Sequence, residues 1–310
     1  MNLLAMHFAI SGTDISPVYL VTIGFLIGIM GGFFGVGGSF IAGPALRAIG
    51  MHWNFAVGTD LAHIVGKSIV AAKRHRALGN VDLRLGLIMA AGTIGGAECG
   101  AQLIQYLKHR GNVDFVVSIV SIVIYSSISI FIAWESSRTV RAQKRRGTAQ
   151  IGRLTVDESS FEGLTKVMHH IPVWPVISLP TSGVKAISLW VIVVVSFIGG
   201  LFSGFLGGGA GYIRMPMMVY ILGIPTHLAV GTDLFEIVIS ASYGTFSHAL
   251  KGNVDILVAL VMHTGAAIGA QIGAILTQYF AGPKIRLLFV PVPLVGVAIV
   301  TYTLLTGHKL

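Results

Sequence analysis

Charge is what this sequence has least of. Only 11% of its 310 residues are Asp, Glu, Lys or Arg, against roughly 25% in soluble domains. A soluble chain of this length needs charge over its surface, so a water-solvated fold is excluded. A hydrophobic content of 54% and a mean hydropathy of +0.82 make lipid the solvent. Cysteine is almost absent. The one residue, Cys99, lies in an apolar segment, cannot form an intrachain disulfide and has no Cys or His at ligand spacing, so no metal is expected. No Lys or Arg precedes the first apolar run, which removes the basic start of a cleaved signal peptide and leaves that run as a retained span. A Lys-Ser/Thr pair after a Gly-rich loop is missing too, so no nucleotide is expected to drive the protein. Neither a convincing nucleophile–base grouping nor a cofactor motif is present, and the sequence does not read as an enzyme.

The charge that does exist is positive, +9 in total, and its placement argues against nucleic acid. Lys73, Arg74 and Arg76 form one cluster; Arg138, Arg141, Lys144, Arg145, Arg146 and Arg153 form another. Both sit at ends of apolar segments, where positive residues hold a loop in the cytoplasm. Eight stretches have about the 20 residues needed to cross a bilayer: 17–35, 56–76, 83–107, 113–134, 186–206, 229–250, 255–280 and 286–306. Two apolar pieces, 39–50 and 211–223, are too short and follow Gly-rich breaks, as half-helices do. The expected fold is therefore an all-α polytopic membrane protein of about eight transmembrane helices. Placing both termini in the cytoplasm of a bacterial inner membrane puts the 73–84 and 135–185 loops, with most of the cations, inside.

The spans fall into two matching sets. GFFGVGGSFIAGP from Gly32 pairs with GFLGGGAGYIRMP from Gly204, AVGTDL from Ala56 recurs from Ala229, and His75 with Gly79–Asp82 recurs as His248 with Gly252–Asp255. The offset is 172 (204 − 32) for the first match and 173 (229 − 56) for the next. Repeats of this kind place transporter sites where the halves meet. The expected organisation is a first four-span repeat at 1–134, a basic and Pro-containing cytoplasmic linker at 135–185, and a second four-span repeat at 186–310. Matching loops on one side imply parallel repeats. Glycines spaced by four in the third spans (92, 96, 100 and 265, 269, 273) read as close helix packing.

Two groups of residues carry the binding chemistry. Gly35, Gly37, Gly38 and Ser39, with Gly207, Gly208, Gly209 and Gly211, break apolar helices and precede half-helices whose positive ends suit an anion; the competing role is a tight helix crossing. In the second span of each half, Asp60, His63 and Lys67 fall on one face, and Asp233, Glu236 and Ser240 match them. Ionisable groups within a span are functional by default. Lys67, His63, Thr59, Thr232 and the glycines are the substrate candidates. Asp60, Asp233, Glu236 and Glu98 are the ion-coupling candidates, with Asp60 and Asp233 equally suited to helix capping after Thr59 and Thr232. Arg214 is placed to attract anions at the mouth of the second break, His75 and His248 at the membrane interface, and Asp82 and Asp255 as caps.

These motifs, in this order and duplicated, resemble the TauE/SafE sulfite exporter family, the toluene-sulfonate uptake permease group. The resemblance covers both halves and about two thirds of the chain. It implies a bacterial multi-pass protein moving sulfite, sulfoacetate or other organosulfonates. The long 135–185 segment and Val36-Gly-Gly-Ser39 in place of an all-glycine run depart from the pattern. With no motor present, an ion gradient is the expected energy source. The expected partners are a small anion and the bilayer, without nucleic acid, and self-association is left open. A permease for another solute or for a cation is the alternative. An intramembrane enzyme has only His63 near Asp60 in its favour.

Overall fold

The computed structural model describes residues 5–145 and 173–306, with the side chains of 39, 139–145 and 210 outside that description. A short hairpin, β1 (Met6–Phe8) with β2 (Thr13–Ile15), precedes helix α1 (Pro17–Phe34). After the first glycine break come α2 (Ser39–Ala48), α3 (Trp53–Ala77), α4 (Leu83–His109) and α5 (Val113–Arg145). A second hairpin, β3 (Val176–Leu179) with β4 (Val184–Ser188), leads into α6 (Leu189–Leu206). The second break is followed by α7 (Gly211–Tyr220), α8 (Thr226–Leu250), α9 (Ile256–Leu276), α10 (Gly282–Phe289) and α11 (Pro291–Thr306).

Among the described residues, seven helices are long and apolar enough to cross a membrane, with α10 and α11 (Gly282–Thr306) taken together as one. The expected span at 229–250 forms α8, as long as α3 but too polar to join that set. The expected span at 286–306 is divided at Val290, where Pro291 and Pro293 remove backbone donors. The hairpins are additions that an apolar count does not detect. The second one straddles position 185, where the sequence placed the end of its linker; most of that linker lies outside the described residues.

Lipid offers no hydrophobic drive between helices, so contact depends on small residues. In α1, Gly24, Gly28 and Gly32 lie on the backbone of Met262, Ala266 and Ala270 of α9, with no room for a Cβ. In α4, Gly92, Gly96 and Gly100 lie in the same order on Val193, Phe197 and Leu201 of α6. Both pairs are therefore parallel. Helix α3 also runs with α9, since Gly58 meets Asn253 and Gly66 meets His263. Helix α8 runs with α4, since Gly231 meets Asn80 and Gly86 meets Phe235.

Helices α1, α3 and α9 thus share one direction, and α4, α6 and α8 take the other. Segments that match in sequence (α1 with α6, α3 with α8, α4 with α9) run antiparallel, which corrects the expectation of parallel repeats. The reason is the half-helices. Each glycine break returns the chain through α2 or α7, a change of direction that a count of long apolar runs omits.

The same geometry separates the two faces. Asp82 caps α4 by accepting from Leu85 N, and Asp255 caps α9 through Val258 N, as expected. Ser182 of the second hairpin donates to Asp82 at 2.6 Å, and Ser11 of the first donates to Asp255 at 2.7 Å. Each hairpin is locked to a turn of the other half. The N-terminal hairpin accordingly lies with the 251–255 turn, at the opposite end from the 78–82 turn and its cations. The expectation that both share one face does not hold. In a Cys99→Ser background, Ala77→Cys and Leu250→Cys are expected to react with an impermeant maleimide from opposite sides of the membrane. Labelling from the same side would contradict the antiparallel arrangement.

Candidate functional site

Helices α3 and α8 cross antiparallel at the centre, with Gly244 on Leu61 and Gly231 on His75. The two breaks enter between them. Gly35 lies on Val230 of α8, Gly207 on Val57 of α3, and Gly37 against the Gly208 carbonyl. Gly35, Gly37, Gly38, Gly207, Gly208 and Gly209 all have φ between 67° and 86°, a region that only glycine enters freely. His75 and His248 secure the helices ahead of the breaks. Their Nε2 atoms donate to the Gly32 and Gly204 carbonyls at 2.9 Å, and both rings are fully buried rather than interfacial.

The recurring AVGTDL and GNVD segments prove to be parts of one interlock. Gly58 and Gly231 admit the turn of the opposite half. Thr59 Oγ1 accepts from Asp255 N, and Thr232 Oγ1 from Asp82 N, both at 2.9 Å. The two threonines, expected at the substrate, are thus committed to those turns. Asp60 and Asp233 are not caps: α3 begins at Trp53 and α8 at Thr226, which places both aspartates within their helices.

Six ionisable side chains converge here, and Asp60, His63, Lys67, Arg214, Asp233 and Glu236 are each at most 1% exposed. Their pairing is unequal. In the second half, Arg214 of α7 donates through Nε to Asp233 Oδ1, and its Nη2 lies 2.5 Å from Glu236 Oε2. Ser240 adds a 3.2 Å bond to Glu236. Arg214 is therefore not at a mouth. It neutralises the two acids expected to couple an ion, and Asp233 Oδ2 lies against Gly211, the first residue of α7. Asp233 Oδ2 itself has no hydrogen-bond partner among the described residues.

In the first half the equivalent acid, Asp60, is within electrostatic range of Lys67 but forms no hydrogen bond with it. Lys67 Nζ has no hydrogen-bond partner among the described residues. A Cβ on Gly38, the cap of α2, would lie 3.5 Å from it. The ammonium thus faces the positive end of a half-helix that has no side-chain cap. Asp60 has Oδ2 3.5 Å from a Cβ on Gly207 and Oδ1 3.4 Å from His63 Nδ1. Asp60 Oδ2 and His63 Nε2 have no hydrogen-bond partner either. Buried polar atoms are normally satisfied, and a buried unpaired ammonium costs several kcal/mol. Two positive poles facing one another form a site for an anion.

Other candidates fall outside this centre. The Ser39 side chain lies outside the described residues. Glu98 is 33% exposed at the α4–α8 rim, bound to Ser247, Lys251 and Gln102. A cleft of about 360 Å³ between α5 and α7, lined by Phe131, Tyr212, Pro216 and Met217, carries no charged group. His263, which sequence patterning passed over as one polar residue in an apolar span, packs against Gly66 beside Lys67. No group of His, Cys, Asp or Glu suited to a metal occurs among the described residues.

A family model for the sulfite exporter TauE/SafE matches residues 20–300. The chain belongs to the TauE/SafE family. Relatives of the TauE/SafE chain include "Probable membrane transporter protein YunE" of Bacillus subtilis, 26% identical over 85% of this chain and 89% of its own length. "Probable membrane transporter protein YjnA" of the same organism is 22% identical over 90% of this chain and 97% of its length. "Probable membrane transporter protein MJ0441" of Methanocaldococcus jannaschii is 27% identical over 63% of this chain and 74% of its length. No solved structure matches. Family and helices together make this a multi-pass membrane protein of a transporter family, not one of enzymes.

The unequal pairing has a measurable consequence. Arg214→Met leaves two buried carboxylates without a counter-charge and is expected to cost about 3–5 kcal/mol, seen as a lower unfolding temperature in detergent. Combining it with Asp233→Asn and Glu236→Gln is expected to recover most of that loss. A single variant as stable as the wild type would contradict the arrangement.

Proposed function

We propose that this TauE/SafE protein is a secondary transporter of a small sulfur-containing anion, such as sulfite, sulfoacetate or another organosulfonate. Its anion seat is Lys67 facing the start of α2. The single observation that carries this reading is the contrast between the halves. Beside Gly211 the Asp233 carboxylate is ion-paired with Arg214, whereas beside Gly38 the Lys67 ammonium has no hydrogen-bonded carboxylate. A tetrahedral or pyramidal oxyanion supplies the missing charge and accepts from both Lys67 and the backbone amides that open α2. The name of the family supports the sulfur chemistry.

The architecture in this reading is an inverted pair of halves, each with four spans and one half-helix, where α10 and α11 together form one broken span and α8 counts as the eighth. Each half opens at its hairpin, and the division falls within 146–172. Ion coupling rests with Asp60, since Asp233 and Glu236 serve Arg214 and Glu98 lies at the rim. The face carrying Lys73, Arg74, Arg76 and Lys185 is cytoplasmic by the charge rule, which puts the first hairpin outside the cytoplasm of a bacterial inner membrane.

Uptake of sulfite, sulfoacetate and methanesulfonate into proteoliposomes tests the reading. Lys67→Met removes a charged contact worth about 2–5 kcal/mol, so anion affinity is expected to fall by about 30-fold or more. Because the same change removes an unpaired buried charge, its unfolding temperature is expected to equal or exceed that of the wild type. Wild-type anion flux in Lys67→Met, or flux confined to cations, would sink the proposal.

A further inference from the structure

We propose that His263 is the proton-exchange residue of the Lys67 site, and that anion movement is coupled to a proton passing through His263 and His63. This rests on the Lys67 reading above and adds the coupling ion and its route. His263 belongs to α9, and its imidazole lies against the backbone of Gly66, where a Cβ would overlap the ring. Gly66 stands between His63, three residues before it, and Lys67, one after it. His263 and Lys67 are both within electrostatic range of His63, and His263 is within range of Lys67. His63 in turn meets Asp60 at 3.4 Å.

Exposure orders this set. His263 is partly exposed, whereas His63 and Asp60 are fully buried. His263 Nδ1, His63 Nε2 and Asp60 Oδ2 all lack hydrogen-bond partners among the described residues. The route therefore runs from His263 inward to His63 and ends on Asp60, alongside the anion seat. Packing alone does not call for imidazole here. At the positions 173 residues away, the large and small partners are exchanged: Ile239 stands for Gly66 and Ala90 for His263. An aliphatic side chain fills that space in one half, and a proton carrier fills it in the other.

The other groups around the route leave Asp60 as its acid. On α8, Asp233 and Glu236 are bound to Arg214 of α7. Helix α1 carries no Asp, Glu, Lys, Arg or His, and Arg47 of α2 pairs with Asp114. Tyr125 of α5 and Tyr212 of α7 are within range of the Asp60 carboxylate. In the proposed step, a hydronium ion protonates one ring nitrogen of His263, which releases the proton on the other through an intervening water to His63 Nε2. His63 then passes its Nδ1 proton to Asp60 Oδ1. One proton accompanies each monoanion and no net charge moves, and the carboxyl releases the proton when the anion leaves.

Labelled methanesulfonate, whose charge is constant across the working pH range, tests this in proteoliposomes in two modes. One is exchange at equal pH; the other is accumulation driven by a pH gradient. His263→Gln is expected to keep exchange and lose gradient-driven accumulation, while Lys67→Met loses both. His63→Gln is expected to behave as His263→Gln does. His263→Asn, smaller against Gly66, replaces His263→Gln if thermal unfolding shows that the latter does not fold. Gradient-driven accumulation that survives His263→Gln, equal loss of both modes in that variant, or a wild type indifferent to the pH gradient overturns the inference. Loss of both modes in Lys67→Met alone would leave the anion seat standing, whereas full activity there would remove the seat itself.

Discussion

A buried ammonium facing the positive end of a helix sets the terms for the centre of this protein. Lys67 and the start of α2 repel one another, and no side chain among the described residues bonds the ammonium. Several kcal/mol of unfavourable electrostatics have to be offset elsewhere. The surrounding fold is built to do so. Glycine stripes let α1 and α9, and α4 and α6, approach to backbone contact. The threonine, aspartate and hairpin serine interlocks tie each half to the turns of the other. In the proposed reading a passing anion relieves this repulsion.

Antiparallel halves give this arrangement a functional logic. When equivalent segments face opposite sides of a bilayer, a site between them can be presented to either side by exchanging two similar conformations. The charges break the equivalence. Arg214, Asp233 and Glu236 form an ion-paired set, whereas Lys67 has no hydrogen-bonded counter-charge.

Much of this was legible in the sequence. Lipid solvation, the long spans, both half-helices, the close glycine packing and the caps at Asp82 and Asp255 follow from composition, length and local pattern. So does the convergence of Asp60, His63, Lys67, Asp233 and Glu236. Direction was not legible, because a ten-residue return through α2 leaves no trace in a count of long apolar runs. Pairing was not legible either. Arg214 sits 19 residues from Asp233 and on another helix, and only the fold carries it to that carboxylate instead of to a mouth. The bonds of Thr59 and Thr232 were hidden for a similar reason: their hydroxyls accept from turns some 150 to 196 residues away. His263 gave a faint signal as a lone histidine in an apolar helix, and its meaning depends on the missing side chain of Gly66.

The proposed anion seat differs from its counterpart in that Lys67 has no hydrogen-bonded carboxylate, whereas Arg214 has two acids paired with it. Anomalous diffraction from crystals soaked with selenite, a heavier analogue of sulfite, reads this directly. A peak between Lys67 Nζ and the first amides of α2, with none at Arg214, is the expected result. A peak at Arg214, or an empty Lys67 site in protein that transports the same anion, would contradict the account.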